Sequence, residues 1–156
     1  MEIRLATEAD LAQLAAISEA AGSAAHWTSH QWQDVFRTRI PARLAWIAEE
    51  GPEDDKRAAG FLVAQIGFVA TGSPEWELEN IAVLPEFRRH GLGRQLLSAL
   101  LNQARLQGAE RIFLEVRESN LAAAGLYHAA GFQQLGRRLG YYLNPTEDAL
   151  TLVYVI

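Results

Sequence analysis

Apolar positions along the chain change period several times, and each change marks an element. Residues 2–5 read as a short first strand. Thr7-x-x-Asp10 has the form of a capping box with an acidic third position. It opens a helix to about residue 20, with Leu11, Leu14, Ala15 and Ile17 on one face. Thr28 or Ser29 caps a second helix to about residue 39, which Pro41 ends. Residues 44–49 and 59–70 form strands joined by the turn Gly51-Pro52-Glu53-Asp54-Asp55. After Gly72-Ser73-Pro74 comes a strand over 75–84. Its first half alternates, with Trp76, Leu78 and Asn80 on one side and Glu75, Glu77 and Glu79 on the other. Leu92, Leu96, Leu100 and Ala104 make the buried stripe of a helix that Gly108 stops. A strand over 112–116, a short helix over 120–130 ended by Gly131, and strands over 132–143 and 149–156 complete the chain. The order is β-α-α-β-β-β-α-β-α-β-β, an α/β (α+β) chain. The strands before and after the leucine-striped helix form a crossover unit and are expected to run parallel.

Composition narrows the class. The chain has 156 residues, 49% aliphatic and aromatic and 21% charged, as expected of one globular domain over residues 1–156. No apolar run approaches the roughly 20 residues of a membrane span, and the first residues lack the pattern of a signal peptide. Cysteine is absent, which removes disulfides, thiolate nucleophiles and cysteine zinc sites and fits a cytoplasmic setting. A net charge of −5 argues against a nucleic-acid surface and favours cationic partners.

The chemistry starts at Arg88-Arg89-His90-Gly91-Leu92-Gly93-Arg94, between an apolar strand and a helix. Glycine lets main-chain amides approach a ligand closely. The first N–H groups of a helix lack internal partners and carry the positive end of its dipole. With Arg88, Arg89 and Arg94 around it, this turn suits an anion such as a pyrophosphate. A dinucleotide fingerprint would need glycine where Leu96 stands, and a Walker loop would need a lysine, but the one lysine is Lys56. What remains is R-x-x-G-x-G counted from Arg88. It resembles the acyl-CoA loop of the GNAT N-acetyltransferase superfamily, and the alternative is an ordinary helix start.

A second block carries the resemblance further. Asn80-Ile81-Ala82-Val83, Leu114-Glu115-Val116-Arg117-Glu118-Ser119-Asn120, Gly125-Leu126-Tyr127, Gly131-Phe132 and Tyr141-Tyr142 are similar, in order and spacing, to the RimI-type enzymes of that superfamily. Those enzymes acetylate the N-terminal alanine of a small-subunit ribosomal protein. The likeness is strong from about residue 80 onward. It implies the GNAT fold: a mixed, mostly antiparallel twisted sheet of about seven strands with about four helices. It implies acetyl-CoA as donor, no metal, and a protein N-terminus as acceptor, such as that of a basic ribosomal protein. Glu115, a lone carboxylate in an apolar strand where desolvation strengthens a base, matches the family's general base. The other reading is a structural pair with Arg117 or Arg138. Tyr127 matches the family's general acid, or else it is core. The family's pantetheine contact falls on the backbone of Ile81, Ala82 and Val83, and the pyrophosphate site on Arg89, His90, Gly91, Leu92, Gly93 and Arg94. His90 replaces an arginine frequent at that place. Asn120 is a helix cap, a ligand to the pantetheine arm, or both. Trp27, Trp32, Tyr141 and Tyr142 lie in segments that flank the family's peptide groove, or else Trp32 is helix core and one tyrosine belongs to the sheet; extra residues near Leu143-Asn144 lengthen the turn after the tyrosines.

An α-amino group ionises near 7.7–8.0 and a lysine near 10.4, so freeing lysine costs about 3.5 kcal/mol more at a given pH. A single weak base therefore suits an N-terminus. Rival readings are a GNAT acting on lysine or a small amine, a non-catalytic acyl-CoA sensor, and a scaffold. No nucleophile elbow or H-E-x-x-H motif is present. His26 and His30 are separated by a helix cap, so a metal between them is not expected.

Overall fold

Helix α3 (Leu92–Leu106) is the main support of one sheet face, and its leucines show why. Leu92, Leu96, Leu97, Leu100, Leu101 and Ala104 are all buried. Fully burying each leucine contributes about 2 kcal/mol. The computed structural model describes residues 1–22, 25–68, 70 and 72–156. Its strands are β1 (Glu2–Leu5), β2 (Ala42–Glu50), β3 (Arg57–Phe68), β4 (Pro74–Val83), β5 (Arg111–Arg117), β6 (Gln133–Tyr142) and β7 (Glu147–Val155). They form one sheet in the order β1-β2-β3-β4-β5-β7-β6. The other helices are α1 (Leu11–Ala21), α2 (Ser29–Arg37) and α4 (Leu121–Ala130). The element order is the expected one, with short 3₁₀ turns added at Glu8–Asp10 and Pro85–Phe87. Val69, within the expected third strand, lies outside the described residues.

Boundaries moved where side chains took over backbone partners. The Thr28 hydroxyl accepts from the Gln31 amide and the Gln31 side chain returns the bond, so α2 begins at Ser29. It stops at Arg37, with Thr38 already extended, two residues short of the expectation. At the first helix, Asp10 Oδ2 accepts from the Thr7 amide at 2.8 Å, and the Asp10 carboxylate also binds the Arg4 guanidinium at 2.8 and 2.9 Å. Arg4 reaches Glu49 as well, at 2.8 Å, which ties β1, the first turn and β2 together. That guanidinium holds the Asp10 carboxyl below its ordinary range.

Two clusters flank the sheet. One gathers Trp76, Leu78, Ile112, Leu114, Tyr127, Phe132 and Leu152 under α3 and α4. The other gathers Leu14, Ile17, Trp32, Val35, Phe61, Val63 and Ala82 under α1 and α2. The alternation expected along β4 breaks between them. Val63 pairs with Asn80 but Ala64 with Leu78, so Glu79 is an extra residue in the ladder. The bulge turns Asn80 and Ala82 onto the α1–α2 face, opposite to Trp76 and Leu78. Glu79 is anchored by Arg43, at 2.6 and 3.2 Å.

As expected of the crossover, β4 and β5 are parallel. Their ladder holds only Glu75–Arg111, Trp76–Ile112 and Glu77–Phe113. Beyond Glu77 the two strands part, although one continues to Val83 and the other to Arg117. A strand edge without a partner therefore opens inside the sheet.

Candidate active site at the parting of two strands

The turn at the end of β4 leads directly to the exposed start of α3. Gly91 is its N-cap, at φ +78°, and the preceding Arg89 is also left-handed at φ +64°. Open space surrounds the place a Gly91 Cβ would take, so the backbone conformation alone demands glycine there. A glycine cap offers no side chain, and the first helical bond is Gln95 N–H to Gly91 O at 3.1 Å. The amides of Leu92, Gly93 and Arg94 are consequently left without a helical partner, facing the exposed Arg89, His90 and Arg94. Leu92 offers only its amide, since its side chain is core.

Two members of the loop differ from their expected roles. Arg88 does not point at an anion site. Its guanidinium donates to Val83 O at 3.0 Å and Ala21 O at 2.7 Å, stapling the strand end to the end of α1. Gly93 serves packing as well as access, because a Cβ there would stand 3.1 Å from Leu126 Cδ2 on α4. Ile81, Ala82 and Val83 lie along the unpartnered edge of β4. The Ala82 side chain packs under α1 and α2, and those of Ile81 and Val83 against the other cluster. Asn120 caps α4, its Oδ1 accepting from Ala123 N at 3.1 Å.

Glu115 stands on β5 two residues past the last ladder pair. Its carboxylate accepts from Arg138 Nε at 3.0 Å, so an ion pair replaces the apolar seclusion expected of it. It lines an open groove of about 310 Å³ with Gln65, Glu77, Phe113, Arg138 and Thr151. Tyr141 and Tyr142 reach the same region through an irregular stretch of β6. Arg138 pairs with Ala149 and Tyr142 with Glu147, so Leu139, Gly140 and Tyr141 are looped out against Asp148 alone. Gly140, at φ +61°, donates to Asp148 Oδ1 at 2.9 Å and holds this bulge. The two tyrosine rings meet edge to face at 5.0 Å. Tyr141 lies against the Arg138 guanidinium at 5.4 Å and Tyr142 against that of Arg117 at 4.3 Å. Burial first, and the Glu115 charge second, push the Tyr142 phenol up to about 12. The Tyr141 phenol is raised chiefly by the Glu115 charge.

Tyr127 projects from α4 into the core, 5% exposed and edge to face with Phe132 at 5.8 Å. Burial pushes its phenol well above the ordinary range, and Tyr142 adds to the effect. Among the described residues no group hydrogen-bonds its hydroxyl. Trp32 is core, 3% exposed against Phe61, and Trp27 packs on it with centroids 4.9 Å apart. His30 pairs with Asp34 at 3.6 Å, and no metal-binding cluster occurs among the described residues.

Residue-by-residue reading did not anticipate the position of Asn80. It is 3% exposed, its amide donates to Ala25 O at 3.5 Å, and its Oδ1 has no partner among the described residues. Ser18 donates to the same carbonyl at 3.2 Å. A polar residue at a buried strand position was the available signal, but the bulge hid which face it served.

A strand that parts from its neighbour beside an uncapped helix start defines a class, and comparison agrees: the acetyltransferase (GNAT) family model matches residues 10–132, and the chain belongs to that family. Among its relatives, the [ribosomal protein bS18]-alanine N-acetyltransferase of Salmonella typhimurium is 41% identical over 106 residues, 65% of this chain and 67% of that protein. The Escherichia coli protein of the same name is 40% identical over 92 residues, 59% of this chain and 57% of its own length. The N-alpha-acetyltransferase RimI of Mycobacterium tuberculosis is 39% identical over 99 residues, 62% of this chain and 61% of that protein. The alignments to these curated relatives thus span roughly three fifths to two thirds of their length. The crystal structure of the E. coli ribosomal-protein-S18-alanine N-acetyltransferase superposes with a TM-score of 0.78 at 31% identity, covering 99% of this chain and 93% of that one. That of Arabidopsis thaliana NAA60 in complex with acetyl-CoA superposes at 0.87, with 20% identity and 99% coverage of both chains, and shares the fold. The expected GNAT fold and the resemblance to RimI-type enzymes are borne out.

Proposed function

We propose that this protein is an acetyl-CoA-dependent N-acetyltransferase acting on the α-amino group of a protein N-terminus, with an alanine-initiated ribosomal protein as its acceptor. The whole chain acts as one catalytic unit, in the cytoplasm. The observation that carries the reading is the parting of β4 from β5 at Glu77 and Phe113, beside the uncapped start of α3. The names of the bacterial relatives support the choice of acceptor.

Acetyl-CoA supplies an acetyl group activated as a thioester. The amides of Leu92, Gly93 and Arg94, with those of the Arg89-His90-Gly91 bend and the Arg94 charge, hold its diphosphate. The free edge of Ile81-Ala82-Val83 takes the pantetheine amides as an added strand would. The Asn120 side-chain amide, without a partner among the described residues, serves the same arm while its oxygen caps α4.

Glu115 accepts the proton of the acceptor's ammonium, which leaves a neutral amine to attack. Tyr127 faces the departing sulfur. A thiol ionises near 8.5, well below the raised phenol of Tyr127, so complete proton transfer would run uphill. Tyr127 therefore acts by donating a hydrogen bond to the thiolate as it forms, and the second proton of the attacking nitrogen, released as the amide forms, leaves with the sulfur as the thiol of coenzyme A. Tyr141, Tyr142 and Trp27 border the acceptor's path.

Intact-mass analysis of an alanine-initiated basic peptide incubated with acetyl-CoA tests this reading. One acetyl group on the free peptide, and none on a copy already blocked at its α-amino group but keeping its lysines, is the expected result. Modification of the blocked copy would move the acceptor to lysine. Coenzyme A binding without turnover of any amine would make the protein a sensor.

A further inference from the structure

Glu115 already holds a cation on one of its two carboxylate oxygens. Arg138 sits on the edge strand β6 and reaches across β7 to set its Nε 3.0 Å from the Glu115 carboxylate. The diagonal between them crosses β7 where Ala149 pairs with Arg138 and Thr151 with Glu115. The Arg138 side chain is 60% exposed and that of Glu115 18% exposed, so the cation lies on the solvent side of the carboxylate at the wall of the groove. Exposed single-bond pairs of this kind are weak and readily exchanged. The guanidinium also lies over the Tyr141 ring, in the segment looped out of the β6–β7 ladder. Glu77, across the same groove, forms no ion pair among the described residues. Its carboxyl is held above the ordinary range, by desolvation first and by the Glu79 and Glu115 charges second.

We propose that Arg138 is a displaceable latch: its guanidinium occupies the Glu115 carboxylate in place of the acceptor's ammonium, and it passes to Glu77 when the acceptor docks. Resting on the amine-acetylating reading above, the proposal gives Arg138 a positioning role and no contact with the reacting atoms. The latch keeps the base paired while the groove is empty. It admits a primary ammonium, which can replace a guanidinium charge for charge, and disfavours neutral or acidic groups. Glu77 then offsets the displaced charge.

The test measures kcat and KM against pH for the wild type, Arg138→Gln and Glu77→Gln, with the alanine-initiated peptide as probe. Arg138→Gln is expected to lower the peptide KM about three- to fivefold, the scale of a weak exposed pair. The acid limb of kcat/KM, which reports the free enzyme, should move to higher pH in that variant because a cation has left the base. The acid limb of kcat, which reports the acceptor complex, should stay in place because the latch is already open there. Other charged or titratable groups facing the pair are Glu79 with Arg43, Arg117, Tyr141, Tyr142 and Glu147, all present in each variant. Glu77→Gln is expected to raise KM about twofold. Equal movement of both limbs, or a raised KM in Arg138→Gln, would overturn the latch and make Arg138 a permanent partner of Glu115.

A second arm does not depend on turnover. The Nε–Hε resonance of Arg138, assigned by its loss in Arg138→Gln, is followed in the protein with coenzyme A as alaninamide is added. A shift of the resonance to a second paired position, lost in Glu77→Gln, supports the latch, and a signal unmoved at high alaninamide overturns it. If the resonance moves but the peptide is not acetylated, the latch stands and the N-terminal substrate falls.

Discussion

The proposed donor side and the proposed acceptor side are made from different parts of the polypeptide. The donor side is main chain: three uncapped amides at the start of α3 and an unpartnered edge along β4. The acceptor side is side chain: Glu115, Arg138, Glu77 and the two tyrosines, drawn from β4, β5 and β6. Main-chain recognition constrains φ and steric access and leaves most side chains free. Side-chain recognition constrains chemistry and leaves the backbone to be adjusted by bulges, such as those at Glu79 and at Leu139–Tyr141. One surface can therefore keep a common donor while its acceptor changes.

Substitutions on the two sides should fail in different measurements. The largest effect is expected from Glu115→Gln, which removes the proposed base. It should lower kcat/KM by about 10²- to 10⁴-fold while calorimetric binding of coenzyme A stays the same. Weakened coenzyme A binding in that variant would break the division between the sides. Gly91→Val should do the opposite. A branched residue is disfavoured at φ +78° by about 1–2 kcal/mol, so the bend relaxes and coenzyme A affinity falls about tenfold. Nothing lies within 4 Å of the added Cβ, so the melting temperature should fall only by what that backbone strain costs, about 2–8 °C. Arg94→Ala removes one exposed charge beside intact amides, and a titration should show only a several-fold weaker complex.

The smallest effect lies away from both sides. Asp10 has its carboxyl lowered by Arg4, first through their hydrogen bonds and then against an opposing desolvation. Its pairing thus stabilises the fold fully above the ordinary carboxylate pKa and is lost as pH falls through the lowered folded value. Thermal melts should show Asp10→Asn losing stability at neutral pH, with the gap to wild type narrowing in acid. A gap that widened on acidification would reverse that sign.

Much of the donor side was legible in the chain. Leucines at helical spacing after a strand, with Gly91 at the junction, are local features, and a left-handed cap leaves amides bare whatever surrounds it. The order of elements and the parallel pairing across α3 followed from the same local periods and from the handedness of crossovers. The roles proposed for Glu115, Tyr127 and the tyrosine pair rest on family resemblance, while Arg138 stood among the partners considered for Glu115 and is the one it pairs with.

Folding decided what depends on residues far apart in the chain. Arg88 reads as a phosphate arginine until Ala21 O, 67 positions away, is seen to take its guanidinium. Gly93 reads as a ligand glycine until Leu126 of α4 is found against it. Asn80 reads as a neighbour of Trp76 until one extra residue in the β3–β4 ladder turns it to the other face. Periodicity and caps arise from contacts a few residues apart, so the sequence alone determined the elements, their order and the bare helix start. Which strand edge stays unpaired, and which cation rests on Glu115, depend on ladder register and on packing between distant segments. No local pattern encodes those, and only the assembled sheet decided them.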